Sequence, residues 1–347
     1  MVNVTSKIFG RDKISSENFL GGIFLKEIKV QDAVGQILCH DITQIVRGVV
    51  KDARFRKGHI ITAEDIPELL KLGKENIYVW ENDTTKLHEN DAAEILRGLC
   101  QGENLSATAV KEGKIELKAT CDGVFHVDAA KLNALNEVEE ICIATLQNKI
   151  PVRDKKSVAG MRVIPLVIDK EKMERVKKIA GAVPLMKIAP YKKFKVGLVV
   201  TGSEIFHGRI EDTFTPVIAA KLKTFGLQID ERRISDDSKE MTREKISELL
   251  NLGAEMILCT GGMSVDPDDR TPAAITSTGA QVVTYGVPVL PGAMFMLAYK
   301  DDVPIMGLPG CVMFCSKTVF DLILPRVITG EKLIRKDFTT LGVGGLL

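Results

Sequence analysis

Residues 256–271 read MILCTGGMSVDPDDRT, and this stretch decides the fold of the C-terminal half of the chain. Residues 256–259 form a short apolar run, which is typical of a strand buried in a parallel sheet. Thr260-Gly261-Gly262 ends that run, and two glycines let the backbone turn sharply and bring its N–H groups close to an anion. Thr271-Pro272 then marks the start of a helix with a hydroxyl N-cap. A strand, a glycine turn, an acidic loop and a helix in this order predict an α/β sheet, in which ligands bind at the carboxyl ends of the strands.

The loop between the glycine turn and the helix is acidic. Asp266, Asp268 and Asp269 place three carboxylates within four residues, next to the hydroxyl of Ser264. Carboxylate oxygens suit a hard cation such as Mg²⁺. Acidic side chains in a loop are also commonly just solvated, so the residues alone leave both interpretations open.

Composition limits the classes of function. The chain has 347 residues, which is typical of two or three domains, and its net charge of +1 gives no argument for binding nucleic acid or an anionic membrane. Seven cysteines without a C-x-x-C pair indicate reduced thiols and not a disulfide framework. The N-terminus lacks the apolar run of a signal peptide, and we see no apolar stretch long enough to span a bilayer. We therefore expect a cytoplasmic protein that binds neither nucleic acid nor a membrane.

The N-terminal half differs from the C-terminal half in its pattern. Residues 23–185 mix short strand and helix signals, and runs rich in isoleucine and valine between residues 105 and 168 predict a β-rich subdomain. Proline, lysine and few large apolar residues at 184–195 predict a domain boundary. The expected domains are a polar tail (1–22), an α+β, β-rich region of unknown role (23–185), an α/β domain (190–332) and a C-terminal tail (333–347).

Further strand ends in the α/β domain carry glycine or acidic residues. These predicted turns are Thr201-Gly202-Ser203-Glu204 after a strand at 196–200, Asp236-Asp237 after a strand at 227–234, and Gly307-Leu308-Pro309-Gly310 after a strand at 303–306. Because parallel strands end at one edge of a sheet, we expect these turns to lie beside Gly261-Gly262. Glu204 also suits a helix cap or a turn, so a structural role stays open.

The helices of this domain are predicted to follow the turns. A helix at 312–324 would begin just after Gly310, where free N–H groups and the helix dipole favour phosphate. A thiol at such a terminus can have a lowered pKa, but the residues favour a buried structural cysteine as the interpretation of Cys311. The other helices are predicted at 213–225, 240–252 and 272–278.

These motifs together resemble a known family. Thr260-Gly261-Gly262-Met263-Ser264, followed by Asp269 and Thr271-Pro272, is similar to the TGG-x-S-x-G-x-x-D-x-TP signature of the molybdopterin-binding domain. Molybdopterin adenylyltransferases, molybdopterin molybdotransferases and gephyrin share that domain. The turns at 201–204, 236–237 and 307–310 resemble the TGDE, DD and GLPGNP turns of the family. Asp266 replaces a glycine, Cys311 replaces an asparagine, and Leu290 and Met294 replace the lysines of a K-P-G-K-P run.

The resemblance implies a three-layer α/β/α molybdopterin-binding domain and a role in molybdenum cofactor biosynthesis, closest to that of molybdopterin molybdotransferase. It implies molybdopterin or its adenylylated form, molybdate and Mg²⁺ as ligands, a homodimer, and a molybdoenzyme or another protein of the pathway as partner. The implied pterin-binding residues are Thr201, Gly202, Gly261, Gly262, Ser264, Gly307, Pro309, Gly310 and Cys311. The implied catalytic residues are Asp269, Glu204 and Asp237, and the implied metal ligands are Asp266, Asp268 and Asp269.

Two alternatives to the transferase stay open. The missing lysines favour a non-catalytic carrier or insertion factor for the cofactor, whereas the acidic loop favours the enzyme. A nucleotide pyrophosphatase of the competence-damage-inducible type carries a similar domain and is the further alternative.

Overall fold

The first part of the chain is a small unit of strand pairs. The computed structural model describes residues 25–46, 50–80 and 85–346, so the predicted tail at 1–22 lies outside the described residues. Within residues 25–80, two antiparallel pairs, β1 with β4 and β2 with β3, pack with one helix around an apolar cluster. The elements are β1 (Leu25–Lys29), β2 (Ile42–Val46), β3 (Val50–Phe55), α1 (Asp65–Lys71) and β4 (Asn76–Trp80).

Residues 85–190 contain the β-rich region that the isoleucine and valine runs predict. The elements are β5 (Lys86–His88), α2 (Glu89–Cys100), β6 (Leu105–Ala107), β7 (Ile115–Ala119), β8 (Gly123–Val127), α3 (Ala129–Asn136), β9 (Ile141–Thr145), β10 (Ile150–Val152), β11 (Ser157–Val163), β12 (Val167–Asp169), α4 (Lys170–Ala180) and β13 (Met186–Pro190). The strands form sheets in the orders β6-β7-β11-β9 and β10-β8-β13, plus the pair β12-β5. Strand β13 lies in the stretch predicted as a boundary, and it pairs with β8. The β-rich region therefore extends to Pro190, and the rest of the predicted division into domains stays a prediction.

The C-terminal part alternates strands with helices. Its elements are β14 (Val196–Thr201), α5 (Ser203–Phe206), α6 (Phe214–Lys223), β15 (Ile229–Ser235), α7 (Lys239–Asn251), β16 (Met256–Thr260), α8 (Thr271–Ser277), β17 (Gln281–Tyr285), β18 (Met296–Lys300), β19 (Val303–Leu308), α9 (Val319–Val327) and α10 (Arg335–Thr339). The predicted strands at 196–200, 227–234, 256–259 and 303–306 all fall on observed strands. The helix predicted at 312–324 begins seven residues later, at Val319, where Thr318 and Asp321 form a capping box.

The six C-terminal strands form one sheet in the order β15-β14-β16-β19-β18-β17. Strands β15, β14, β16 and β19 are parallel to one another, whereas β18 and β17 are antiparallel. Helices α6 and α9 cover one face with residues such as Leu222 and Phe320, and α7 and α8 cover the other with residues such as Ile246 and Ile275. The predicted three-layer α/β/α fold is confirmed.

The position of each strand in the sheet explains its composition. Every residue of β14 and of β16 is buried, because these central strands are covered by helices on both faces. Strand β15 lies at the edge, and its sequence IDERRIS is polar and only partly buried. Arg233 on this strand pairs with Glu231 and Glu248 at 3.1 Å each, and such charges protect an exposed sheet edge from pairing with other chains. None of the helices in the described ranges combines the length and the apolar character that crossing a bilayer requires.

A charged cluster joins the end of the α/β domain to the β-rich region. Arg326 on α9 is only 4% exposed and donates hydrogen bonds to the Glu331 carboxylate at 2.6 and 2.9 Å and to Asp337 Oδ1 at 2.6 Å. Lys149, which immediately precedes β10, donates to the same Asp337 oxygen at 2.8 Å. Because a buried guanidinium needs compensating charge, these carboxylates hold Arg326 in place and link the two parts of the chain.

The cluster makes the free energy of unfolding depend on pH in the acidic range. Burial alone would raise the pKa of Asp337, but the Ile334 amide, Lys149 and Arg326 outweigh burial and lower the pKa from 3.8 to about 2. A carboxyl with a lowered folded-state pKa stabilises the protein above its unfolded-state pKa, and the stabilisation is lost as the pH falls through the folded-state value. We therefore expect Asp337 to contribute about 2 kcal/mol to the free energy of unfolding at pH 5, most of it lost between pH 4 and pH 2.

Urea unfolding at a series of pH values, on the wild type and on Asp337→Asn, measures this contribution. The wild type should lose more stability than the variant between pH 4 and pH 2, because the amide does not titrate. Equal losses in the two proteins would show that Asp337 is not the responsible group.

Candidate functional site

The register of the parallel strands brings their carboxyl ends to one edge of the sheet. Thr201 at the end of β14 lies opposite Ser235 at the end of β15, and Thr260 at the end of β16 lies opposite Leu308 at the end of β19. Strands β14 and β16 are themselves neighbours, with Val200 opposite Thr260. The loops that follow these strands therefore begin side by side, as the sequence predicts.

The glycine turn after β16 is fixed by contacts that leave no room for side chains. Gly261 and Gly262 have φ angles of +87° and +57°, in the left-handed region that favours glycine. A Cβ on Gly261 would overlap the Thr201 carbonyl oxygen, and a Cβ on Gly262 would lie 2.8 Å from Thr271 Oγ1. The Thr271 hydroxyl donates to the Gly261 carbonyl at 2.8 Å, which ties the turn to helix α8. Thr271 is thus the first residue of the helix and not its N-cap, which is Arg270.

Three loops enclose a cleft of about 360 Å³ next to this turn. They follow β16, β17 and β19. The cleft brings together seven residues of the predicted site: Gly261, Gly262, Ser264, Asp269, Pro309, Gly310 and Cys311. Four other residues that were not predicted as site residues also line the cleft: Met263, Gly292, Ala293 and Met294.

The loop between β17 and β18 closes one side of the cleft. Gly292 has a φ of +125°, and a Cβ there would lie 2.6 Å from Val319 Cγ1 at the start of α9. The Pro291-Gly292 pair, which resembles the middle of the family's K-P-G-K-P run, was the sequence signal for this loop. Tyr285 at the end of β17 was missed. Its hydroxyl lies 3.4 Å from the Ser264 carbonyl oxygen, within reach of a hydrogen bond that links the two loops.

Other residues of the predicted site do not line the cleft. Thr201 is buried, and its hydroxyl donates to the Thr260 carbonyl at 3.0 Å, so it holds two strand ends together. Gly307 lies within β19 under the Met263 side chain, and a Cβ there would lie 2.6 Å from Met263 Sδ. Gly202 and Glu204 belong to the turn after β14, which leads into the single helical turn α5 and not toward the cleft.

The Asp236-Asp237 turn, which was predicted to supply a catalytic carboxylate, organises the backbone instead. Asp237 accepts a hydrogen bond from the Ser203 amide at 2.8 Å and so holds the start of α5. Asp236 accepts from the Ser238 amide at 2.9 Å and from its hydroxyl, and these bonds lower the pKa of Asp236. Ser238 in turn caps helix α7. Both carboxylates are therefore used by local structure and stand outside the lining of the cleft.

The three loop aspartates do not converge on one point. Asp269 lines the cleft, and its Oδ2 accepts a hydrogen bond from the Asp266 amide at 2.9 Å, which shapes the loop. Asp268 is 86% exposed and lies 3.9 Å from Arg270. Within the described ranges, no group of three or more histidine, cysteine, aspartate or glutamate side chains is arranged to hold a metal ion. The predicted set of Asp266, Asp268 and Asp269 thus does not fit a magnesium ion held by protein carboxylates alone.

The segment after β19 differs from its prediction. A short 3-10 helix, Gly310–Met313, follows the turn, and helix α9 begins only at Val319. Thr318 and Asp321 form a capping box there, which fixes the start of the helix. Cys311 therefore does not lie at the N-terminus of an α-helix, and burial, together with the neighbouring Cys315, raises the pKa of its thiol. The predicted start of the α-helix at residue 312 was wrong, and the lowered pKa that a helix N-terminus can give a thiol is not found at Cys311.

The cleft has little charge. Asp269 is the one charged side chain among the described residues that line it, and the rest are small, apolar or sulfur-containing. The positions at which the family resemblance places lysines are Leu290, which is 54% exposed, and Met294. An anionic ligand in this cleft would therefore depend on backbone N–H groups, which the glycines allow it to approach closely.

Comparison with known families supports the resemblance. Residues 197–329 match a family model described as a probable molybdopterin binding domain. Residues 27–81 match a domain described as being of unknown function. The resemblance inferred from the TGG turn and its neighbouring motifs is therefore confirmed for the α/β domain.

Individual relatives match between two fifths and about half of the chain. The chain is 29% identical over 143 residues to a molybdopterin molybdenumtransferase of Staphylococcus epidermidis, which covers 39% of this chain and 34% of the relative. It is 24% identical over 186 residues to a molybdopterin molybdenumtransferase of Synechococcus elongatus, which covers 51% of this chain and 44% of the relative. The chain thus spans less than half of the length of these relatives. The solved structure of a molybdopterin biosynthesis MoeA protein from Pyrococcus horikosii is 13% identical and covers 88% of this chain and 74% of that chain, with a TM-score of 0.34.

Proposed function

We propose that this protein acts in molybdenum cofactor biosynthesis and binds molybdopterin, free or adenylylated, in the cleft beside Gly261 and Gly262. One observation carries the proposal: seven residues that the family signature implicates line a single cleft, and that cleft lies within the segment that matches the family model. A cleft outside the carboxyl ends of parallel strands is also the usual ligand site of an open α/β sheet.

The lining suggests how the pterin would be held. Gly261, Gly262 and Gly310 let the phosphate approach backbone N–H groups without obstruction by a Cβ. Ser264 offers a hydroxyl, and the apolar surfaces of Ala293 and Met294 suit a flat ring. The protein's contribution is thus to bind and orient the ligand and to exclude water from its ring.

A direct binding experiment tests the proposal. Purified protein is titrated anaerobically with molybdopterin, and the bound pterin is measured after separation from the free ligand. We expect saturable binding of one pterin per chain. A protein that binds no pterin under these conditions would contradict the proposal.

Among the functions compatible with pterin binding, the geometry favours a carrier or insertion factor. The loop carboxylates do not converge, and neutral side chains occupy the positions where lysines are expected. Without a metal held by carboxylates, or nearby cations, the cleft offers little to stabilise the charge that develops during cleavage of a phosphoanhydride.

Magnesium-dependent insertion of molybdate is the second candidate, and two observations favour it. The curated relatives are named molybdopterin molybdenumtransferases, and Asp269 does line the cleft. Incubation with adenylylated molybdopterin, molybdate and Mg²⁺ separates the candidates. Release of AMP together with molybdenum cofactor supports the transferase, whereas pterin binding without release of AMP supports the carrier.

Replacing Asp269 with asparagine gives a sharper test. The amide keeps the size of the side chain and can still accept a hydrogen bond from the Asp266 amide, so we expect the free energy of unfolding to change by less than about 1 kcal/mol. For a carrier, removing the negative charge should leave the affinity for the anionic pterin unchanged or raise it severalfold. For a transferase, AMP release should fall by at least about 100-fold. Asp302→Asn, whose side chain is 96% exposed and does not line the cleft, is the matched control and should change neither readout.

Three further parts of the proposal have their own support. The seven cysteines are all free thiols in the structure, which supports a reducing compartment such as the cytoplasm. Dimerisation and delivery of the cofactor to a molybdoenzyme rest on the family resemblance. Size-exclusion chromatography with light scattering tests the first of these two, and reconstitution of an apo-molybdoenzyme tests the second.

A further inference from the structure

Three of the eleven residues that line the proposed pterin cleft contain sulfur. Met263, Met294 and Cys311 come from three different loops, and all three line the same cleft. Met263 is 3% exposed and packs over Gly307, whereas Met294 and Cys311 are half-buried. The sulfur atoms of methionine and cysteine are soft and polarisable, so this surface suits a polarisable ligand group better than it suits a hard, hydrated oxyanion.

The thiol of Cys311 is placed to act as a hydrogen-bond donor. Burial and the neighbouring Cys315 raise its pKa, so the thiol keeps its proton at neutral pH. A protonated thiol can donate a hydrogen bond to an anionic acceptor without adding negative charge to a cleft that already contains Asp269. Cys315, one turn further along the chain, instead lines a separate groove with Phe314 and α6.

We propose that the wall formed by Met263, Met294 and Cys311 receives the dithiolene end of the pterin, with the Cys311 thiol donating a hydrogen bond to a ligand thiolate. The inference rests on the proposed function and adds a specificity to it. The cleft then selects pterins that carry their two sulfurs over pterin phosphates that have lost them. The preference originates in this chain's own residues, because the family resemblance places asparagine at the position of Cys311 and lysine at that of Met294.

Two ligands test this selectivity on the wild-type protein. One is molybdopterin, and the other is a pterin phosphate of the same ring system that lacks the dithiolene sulfurs. We expect the sulfur-bearing ligand to bind about tenfold more tightly, which is the size of effect that one hydrogen bond to a charged group gives. Equal affinities would overturn the inference and leave the proposed function standing. Binding of neither ligand would overturn both.

Variants then assign the preference to Cys311. Cys311→Ala should remove most of the tenfold preference without changing the affinity for the sulfur-free ligand, and Cys311→Ser, which keeps a donor, should restore part of it. Cys315→Ala is the matched control and should behave as the wild type. Full preference in Cys311→Ala would overturn the assignment.

A measurement on the wild-type protein avoids any effect of the variants on folding. Bound molybdopterin should protect Cys311 from a thiol-alkylating reagent while leaving the alkylation rate of Cys315 unchanged, as followed by mass spectrometry of the peptides. Equal alkylation of Cys311 with and without bound pterin would overturn the contact.

Discussion

Replacing Gly261 with alanine is expected to abolish molybdopterin binding and to lower the free energy of unfolding by about 2–4 kcal/mol. Two effects add. Residue 261 has a φ of +87°, and a residue with a side chain is destabilised there by about 1–2 kcal/mol. In addition, the new Cβ would overlap the Thr201 carbonyl oxygen at the end of the neighbouring strand. The turn would have to move away from β14, and the position of the Ser264 loop in the cleft would change with it.

Gly226→Ala separates the two effects. Gly226 has a φ of +71°, but a Cβ there would meet no atom within 4 Å. This variant should lower the free energy of unfolding by the backbone strain alone, about 1–2 kcal/mol, and should bind pterin as the wild type does. Chemical denaturation and pterin titration of both variants give the comparison. If Gly261→Ala bound pterin normally, the close packing of the turn would not be what shapes the site.

Replacing Arg326 with alanine is expected to lower the free energy of unfolding by about 3–5 kcal/mol, because it leaves buried charge uncompensated. The guanidinium is 4% exposed and satisfies two carboxylates, those of Glu331 and Asp337. Without it, both carboxylates stay partly buried, and Lys149 and the Ile334 amide compensate them only in part. The contact between α9 and the β-rich region should loosen as a result.

Arg54→Ala is the control for this prediction. Arg54 forms an ion pair with Glu68 at 2.8 Å, but the two side chains are 51% and 42% exposed, so its loss should cost less than about 1 kcal/mol. Urea denaturation of both variants and the wild type measures the difference. A cost for Arg326→Ala no greater than that for Arg54→Ala would show that the buried cluster contributes little to stability.

The α/β domain could be predicted because its signals are local. Buried parallel strands such as β14 and β16 have continuous apolar sequences, and each strand is followed by a glycine or acidic turn that the sequence displays directly. The common edge of the strands then follows from their being parallel. The turn at Gly261 and Gly262 was predicted from the two glycines that follow the apolar run, and the structure adds the reason, which is the close approach of Thr201 and Thr271.

It was harder to predict which residues line the site, because that depends on the direction in which each loop runs after its strand ends. Glu204 and Asp237 do follow strands that end at this edge, but Glu204 lies within the short helix α5, and Asp237 accepts a hydrogen bond from the Ser203 amide of the neighbouring turn. The wall that contains Gly292 and Met294 comes from a loop between antiparallel strands, which a search for turns at parallel strand ends does not find. The start of α9 was misplaced because the capping box at Thr318 outweighed the glycine at 310 as a helix signal.

A crystal structure of the protein bound to molybdopterin tests the central claim most directly. We predict pterin density in the cleft between the Gly261-Gly262 turn, Met294 and Cys311, with the phosphate against backbone amides and the dithiolene sulfurs next to the Cys311 thiol. Density for the pterin at any other place on the chain, with this cleft empty, would contradict the account.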